Sequence, residues 1–288
     1  MKATATREHP PALHVELHGD NGDHGDHGDP LILLHGFGAT GFTWRYWIRG
    51  LARDRRVYVV DLKGFGRSPK PRDGRYSPHD HADAVCRMVE DHGLERFTLI
   101  GHSLGGGVAL LTALRMLDAG QSDRVKALVL VASAAVPQNL PRFIGLARLP
   151  VFGVATLGSV PPRHLVRWVL RQIVHDRSVV AGDWVDGYAM PLATPDARYG
   201  VLATARAIIP PDVDEIVRRF PELHMPALLL WGRHDRVVPL WVGERLAAGL
   251  PQARLEVLED CGHMPPEELP AESLALVTRF LEGVEAAP

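Results

Sequence analysis

The chain has 288 residues, 46% of them hydrophobic, with 32 basic against 34 acidic side chains. That length suits one large α/β domain with insertions or two ordinary domains, and the near-neutral balance gives no electrostatic footprint for nucleic acid or for an anionic membrane surface. Only two cysteines are present, Cys86 and Cys261, so neither a disulfide framework nor paired CxxC metal clusters can be built.

Residues 1–11 lack the apolar stretch of a signal peptide, and no apolar run reaches membrane-spanning length, so the expectation is a soluble cytoplasmic protein with a small neutral partner. Leu13-His14-Val15-Glu16-Leu17 alternates like a half-exposed strand. Residues 19–29 form a Gly/Asp/His tract that reads as a solvated hairpin loop; its flexibility gives its side chains no fixed geometry for a metal. Leu31-Ile32-Leu33-Leu34 is a continuous apolar run, as expected of a strand buried on both faces of a parallel sheet. It leads into His35-Gly36-Phe37-Gly38, where glycines after the strand let a backbone N–H point into a crevice.

Residues 42–51 read as a short helix, Arg56-Val57-Tyr58-Val59-Val60-Asp61 as the next strand, and the following loop, 61–68, as mainly structural. Ser77 is a fitting N-cap with Pro78 behind it, and Ala82, Val85, Cys86 and Val89 recur on one face until Gly93, which makes Cys86 a packing residue. Phe97-Thr98-Leu99-Ile100 is then a buried strand, Gly101-His102-Ser103-Leu104-Gly105 a sharp turn, and Val108-Ala109-Leu110-Leu111 part of a helix. A serine in a strand–G-x-S-x-G–helix setting is held in a strained conformation with its hydroxyl raised above the sheet.

Another strand is expected at 125–131, and strands alternating with helices imply a parallel sheet with right-handed crossovers. Between 137 and 222 ten prolines break that rhythm into short helices. Leu165, Trp168, Val169 and Ile173 form an apolar stripe there, which packing on the sheet edge and roofing a pocket would explain equally well. The sheet resumes with Ala227-Leu228-Leu229-Leu230-Trp231 and Leu255-Glu256-Val257-Leu258, followed respectively by loops carrying Asp235 and His263. A closing amphipathic helix spans about residues 270–281.

A serine hydroxyl is a weak nucleophile that needs a base, and the base needs a group to fix its tautomer. Loops at the carboxyl ends of three predicted strands offer Ser103, Asp235 and His263 in that order. These residues, with His35-Gly36-Phe37-Gly38, Asp61 to Ser68, Gly106, Val238-Pro239 and Met264, resemble a lid-bearing α/β-hydrolase from about Leu13 to Leu281.

The resemblance implies a mostly parallel twisted α/β sheet with helices on both faces, a core domain from residues 1–136 and 223–288, and a helical cap or lid at 137–222. It implies Ser103 as nucleophile, His263 as base and then acid, Asp235 as orienting acid, and the backbone N–H groups of Phe37 and Leu104 as oxyanion donors. The loop after the 125–131 strand reads Ala132-Ser133-Ala134-Ala135, without the carboxylate that some relatives place there, which leaves Asp235 as the acid. His35, Gly36 and His102 read as supporting residues, His234 as solvated, and Glu267 and Glu268 as acids that suit a helix N-terminus without a catalytic role.

A serine at the elbow separates the chain from members that use a carboxylate nucleophile, such as haloalkane dehalogenases and epoxide hydrolases. The expected activity is hydrolysis of small to medium apolar carboxylic esters through an acyl-serine, with no cofactor or metal implied. Two alternatives stand beside it: a C–C hydrolase of ring-fission products, and a receptor-like ligand binder with little turnover. Phe37-Gly38-Ala39 and Met264 depart from the patterns of many C–C hydrolases at those positions.

Overall fold

The computed structural model describes residues 12–19, 28–149, 153 and 158–286. Six parallel strands follow the predicted runs: β2 (Leu31–Leu34), β3 (Val57–Asp61), β4 (Phe97–His102), β5 (Val125–Val131), β6 (Ala227–Gly232) and β7 (Ala253–Leu258). With β1 (His14–His18) they form one sheet in the order β1-β3-β2-β4-β5-β6-β7, and β1 alone runs antiparallel.

The period-two geometry of a strand divides the apolar runs between two cores. Ile32, Leu34, Leu99, Leu128 and Leu130 face a core built with α2 (Pro78–Asp91) and α3 (Leu104–Asp118). Leu31, Leu33, Ile100, Val129 and Val131 face the opposite core, where α1 (Arg45–Leu51) and the last helix contribute Trp47, Leu51, Val277 and Leu281. Both faces are therefore covered, which is why these strands are apolar throughout rather than alternating. Ser77 caps α2 through a reciprocal capping box with Asp80, and Gly93 beyond its end takes φ +59°.

The expectation of a hairpin across residues 19–29 is corrected. β1 pairs with β3, His14 opposite Asp61 and His18 opposite Val57, and not with β2. Alternation marks a half-exposed edge strand but carries no information about its partner. Residues 20–27 of that tract lie outside the described residues.

Between β5 and β6 the chain forms α4 (Arg142–Arg148), α5 (Pro162–Ile173), α6 (Gly182–Ala189), α7 (Pro195–Ala207) and α8 (Val213–Arg218). After β6 come α9 (Leu240–Gly249), β7, the one-turn α10 (Pro265–Glu268) and α11 (Pro270–Glu285). Among the described residues no helix is long and apolar enough to cross a membrane.

Candidate active site

Ser103 sits between β4 and α3 with φ 52° and ψ −116°, one of two described non-glycine residues at positive φ. Such a conformation costs on the order of 1–3 kcal/mol and persists only where the surroundings over-determine it. Here the Ser103 N–H donates to the Val131 carbonyl, while the Gly106, Gly107 and Ala134 N–H groups donate to the Ser103 carbonyl. The turn also requires close backbone approach. A Cβ on Gly105 would lie 2.2 Å from the Leu34 oxygen, and one on Gly101 would lie 2.4 Å from the Gly105 oxygen.

The loops after β6 and β7 bring two further groups to the serine. His263 Nε2 lies 3.0 Å from Ser103 Oγ, and His263 Nδ1 lies 2.8 Å from Asp235 Oδ2. An ionised carboxylate only accepts, so Nδ1 carries the proton and Nε2 is left to accept from the serine hydroxyl. The other Asp235 oxygen accepts from the Val237 and Val238 N–H groups at 2.7 and 2.9 Å, which fixes the carboxylate within its own loop. All three side chains are buried.

Leu104 is the first residue of α3, so its N–H has no acceptor within the helix. Phe37 lies in the loop after β2, against the same cavity as Ser103. Gly36 permits this loop to approach, since a Cβ there would stand 2.9 Å from His102 Nδ1 and 3.1 Å from Ser103 Cβ. His35 donates from Nδ1 to the Gly36 carbonyl and accepts the Leu62 N–H at Nε2, so it ties the loops after β2 and β3 together. His102 donates from Nε2 to the His263 carbonyl at 2.8 Å. Burial holds both rings neutral, pushing His102 down to about 3 and His35 below its ordinary value. His234 is exposed and stacks on His175 at 4.1 Å between ring centroids. Asp61 accepts from the Gly41 and Arg67 N–H groups, a structural use of the 61–68 loop.

Two acids do more than complement a helix N-terminus. Glu268 accepts the Gly262 and Met264 N–H groups on either side of His263, and the His175 N–H just beyond α5. The His263 N–H in turn donates to the Ile173 carbonyl at the end of α5. The backbone around the histidine is thus fixed from both sides. Glu267 is buried, pairs with Arg45 at 2.5 Å and accepts from Tyr188 Oη at 2.6 Å, and Tyr188 also meets Thr43 at 3.0 Å. Sequence reasoning had no route to this network, because Arg45, Tyr188 and Glu267 come from three distant segments.

Burial pushes the Glu267 carboxyl up to about 7, against the opposing pull of Arg45 and Tyr188. A raised carboxyl means that the folded state binds the extra proton, so this contribution to stability is present below about pH 4.5 and is lost as pH rises through 7. Glu267→Gln keeps an acceptor for both partners without the titration. Its stability relative to wild type should rise between about pH 4.5 and 7 and level off above, by at most about 1.4 kcal/mol per pH unit, read as a widening difference in melting temperature. Parallel melting curves across that range would contradict the assignment.

Two cavities, of about 190 and 160 Å³, meet at Phe37, Ser103, Ile144 and Val237. The larger is walled by α4, α5 and Tyr188 of α6, so Leu165, Trp168, Val169 and Ile173 line the pocket. Val166 and Leu170 on the same helix line it as well and belong, with Ile173, to the buried core, so this helix both packs on the core and borders the pocket. The smaller runs between α3 and residues 134–141. Among the described lining residues neither cavity has a lysine, arginine, aspartate or glutamate.

A mostly parallel seven-stranded sheet with these loops at its carboxyl edge defines a hydrolase of the α/β class, and the chain belongs to the alpha/beta hydrolase fold family, which it matches over residues 29–270. Among its relatives, 2-hydroxymuconate semialdehyde hydrolase from Pseudomonas sp. is 32% identical, with 90% of this chain and 88% of the relative covered. A meta-cleavage product hydrolase from Pseudomonas fluorescens superposes with a TM-score of 0.75 at 26% identity, covering 94% of both chains. A thermophilic esterase from Thermogutta terrifontis does so with a TM-score of 0.74 at 25% identity, covering 94% of this chain and 93% of its own.

Proposed function

We propose that the protein is a serine hydrolase of apolar carboxylic esters, with residues 137–222 serving as a cap. The observation that carries this reading is the position of Ser103, hydrogen-bonded to His263 and open to two uncharged cavities. An ester carbonyl at that junction has space for an apolar group on each side, and burying a charged group there would go uncompensated.

In this mechanism Ser103 Oγ attacks the ester carbonyl carbon while His263 Nε2 takes its proton. The Phe37 and Leu104 N–H groups donate to the developing oxyanion. Collapse expels the alcohol, which receives the proton from His263. Water, deprotonated by the same imidazole, then releases the acid from Ser103. Asp235 holds the Nδ1–H tautomer and stabilises the imidazolium that forms twice per cycle. The apolar walls keep bulk water from the reacting groups, which strengthens each of these interactions.

A panel of p-nitrophenyl esters of increasing acyl length tests this. Purified protein should release a burst of p-nitrophenol equivalent to its active sites, followed by slower turnover. Absence of both turnover and fluorophosphonate labelling at Ser103 would sink the reading.

Similarity to a 2-hydroxymuconate semialdehyde hydrolase favours a second reading, cleavage of a C–C bond in a ring-fission product. Such a substrate carries a carboxylate, for which the described cavity residues supply no cationic partner. Assay with a vinylogous 1,5-diketone acid separates the two, since turnover exceeding that of every ester in the panel would reverse the order.

A further inference from the structure

The near-neutral balance of the whole chain conceals a local excess. Residues 137–180 contain six arginines, at 142, 148, 163, 167, 171 and 177, against a single acid, Asp176. On α5, Arg163, Arg167 and Arg171 recur at four-residue spacing and are all exposed. On α4, Arg142 and Arg148 are exposed as well. Asp186 pairs with Arg163 at 2.7 Å, whereas among the described residues no ion pair neutralises Arg142, Arg148, Arg167 or Arg171.

Large apolar side chains lie on or beside the same two helices. Trp168 is 49% exposed, Leu149 52% and Leu146 41%. Leu146 and Trp168 also line the larger cavity, so the apolar patch borders its mouth. Unpaired guanidinium groups beside exposed leucines and a tryptophan are the composition of a surface that lies at a lipid–water boundary.

We propose that the α4–α5 face docks on an anionic phospholipid bilayer, with the arginines at the headgroups and Leu146, Leu149 and Trp168 at the acyl boundary. Charge complementarity selects the anionic lipid, and the aliphatic side chains select a bilayer over an acidic protein, since only the bilayer offers both anionic headgroups and hydrocarbon. Docked this way, the cavity mouth opens towards the phase in which an apolar ester dissolves. That delivery role rests on the ester-hydrolase reading, whereas the docking does not.

Cosedimentation of the full-length protein with mixed phosphatidylglycerol–phosphatidylcholine vesicles, and with phosphatidylcholine vesicles alone, tests the docking. Binding is expected to the mixed vesicles only and should weaken as salt is raised. The Arg167→Glu/Arg171→Glu variant should lose about fivefold in partitioning for each positive charge removed, and more for the reversal. Neither arginine lines the cavity, so hydrolysis of a soluble p-nitrophenyl ester should be unchanged, and that parallel assay separates failure of docking from failure of the ester reading. Equal binding to both vesicle types, binding to neither, or binding insensitive to the double variant would overturn the proposal. So would a dimer in solution that the same variant dissociates, because a second copy would then cover the face.

Discussion

Ser103→Ala is expected to lower kcat on any accepted ester by about 10⁵–10⁶-fold. The substitution removes only the oxygen that meets His263, and the backbone bonds of Ser103 to Val131, Gly106 and Ala134 remain. The melting temperature should therefore stay close to wild type, and an unreactive apolar analogue should still raise it. Loss of fluorophosphonate labelling with retained folding is the measurement. Turnover above about one per cent of wild type would exclude Ser103 as nucleophile, because the residual rate left after removal of a nucleophile is far smaller.

Asp235→Asn tests the other end of the chain of hydrogen bonds and should cost about 10⁴-fold in kcat. The amide oxygen can still accept from the Val237 and Val238 N–H groups, so the loop keeps its shape. The amide nitrogen then faces His263 Nδ1 as a donor and forces the imidazole into the tautomer protonated at Nε2. In that form the ring cannot accept the serine proton. Steady-state kinetics beside a crystal structure of the variant would check both parts, and a small kinetic effect with the asparagine in place would reassign the orienting acid.

What the sequence made legible follows from how local each signal is. The apolar runs of β2, β4, β5 and β6, the N-cap at Ser77 and the glycines of the elbow act within a few residues, so pattern alone located them. The order Ser103, Asp235, His263 was readable because each residue lies in the turn or loop after a strand that could be recognised. The pairing of β1 with β3 was not, since an alternating strand carries no address for its neighbour. Nor were the tasks of Glu267 and Glu268. Arg45 lies 222 residues before Glu267, and the backbone donors at His175, Gly262 and Met264 become adjacent only when the chain between β5 and β6 folds back onto the His263 loop. A pair of acids in a one-turn helix just after His263 was the available sign that ordinary helix electrostatics was too small an explanation. The basic face of α4 and α5 was hidden differently, by averaging over the whole chain.

The backbone of Ser103 has a consequence for the order in which the protein matures. Its positive φ is unfavourable in isolation, and the bonds that hold it reach to Val131 and Ala134, about thirty residues downstream. The turn cannot persist as an autonomous local structure in a nascent chain. It is locked only once β5 has docked beside β4, and it meets its histidine only after synthesis has passed residue 263. A newly made chain therefore presents an ordinary serine, and in the hydrolase proposed above its reactivity would be acquired late, as a property of the completed tertiary structure. Fluorophosphonate labelling during refolding is accordingly expected to appear only with the long-range contacts that join Ser103 to β5 and to His263, rather than with the formation of any one element.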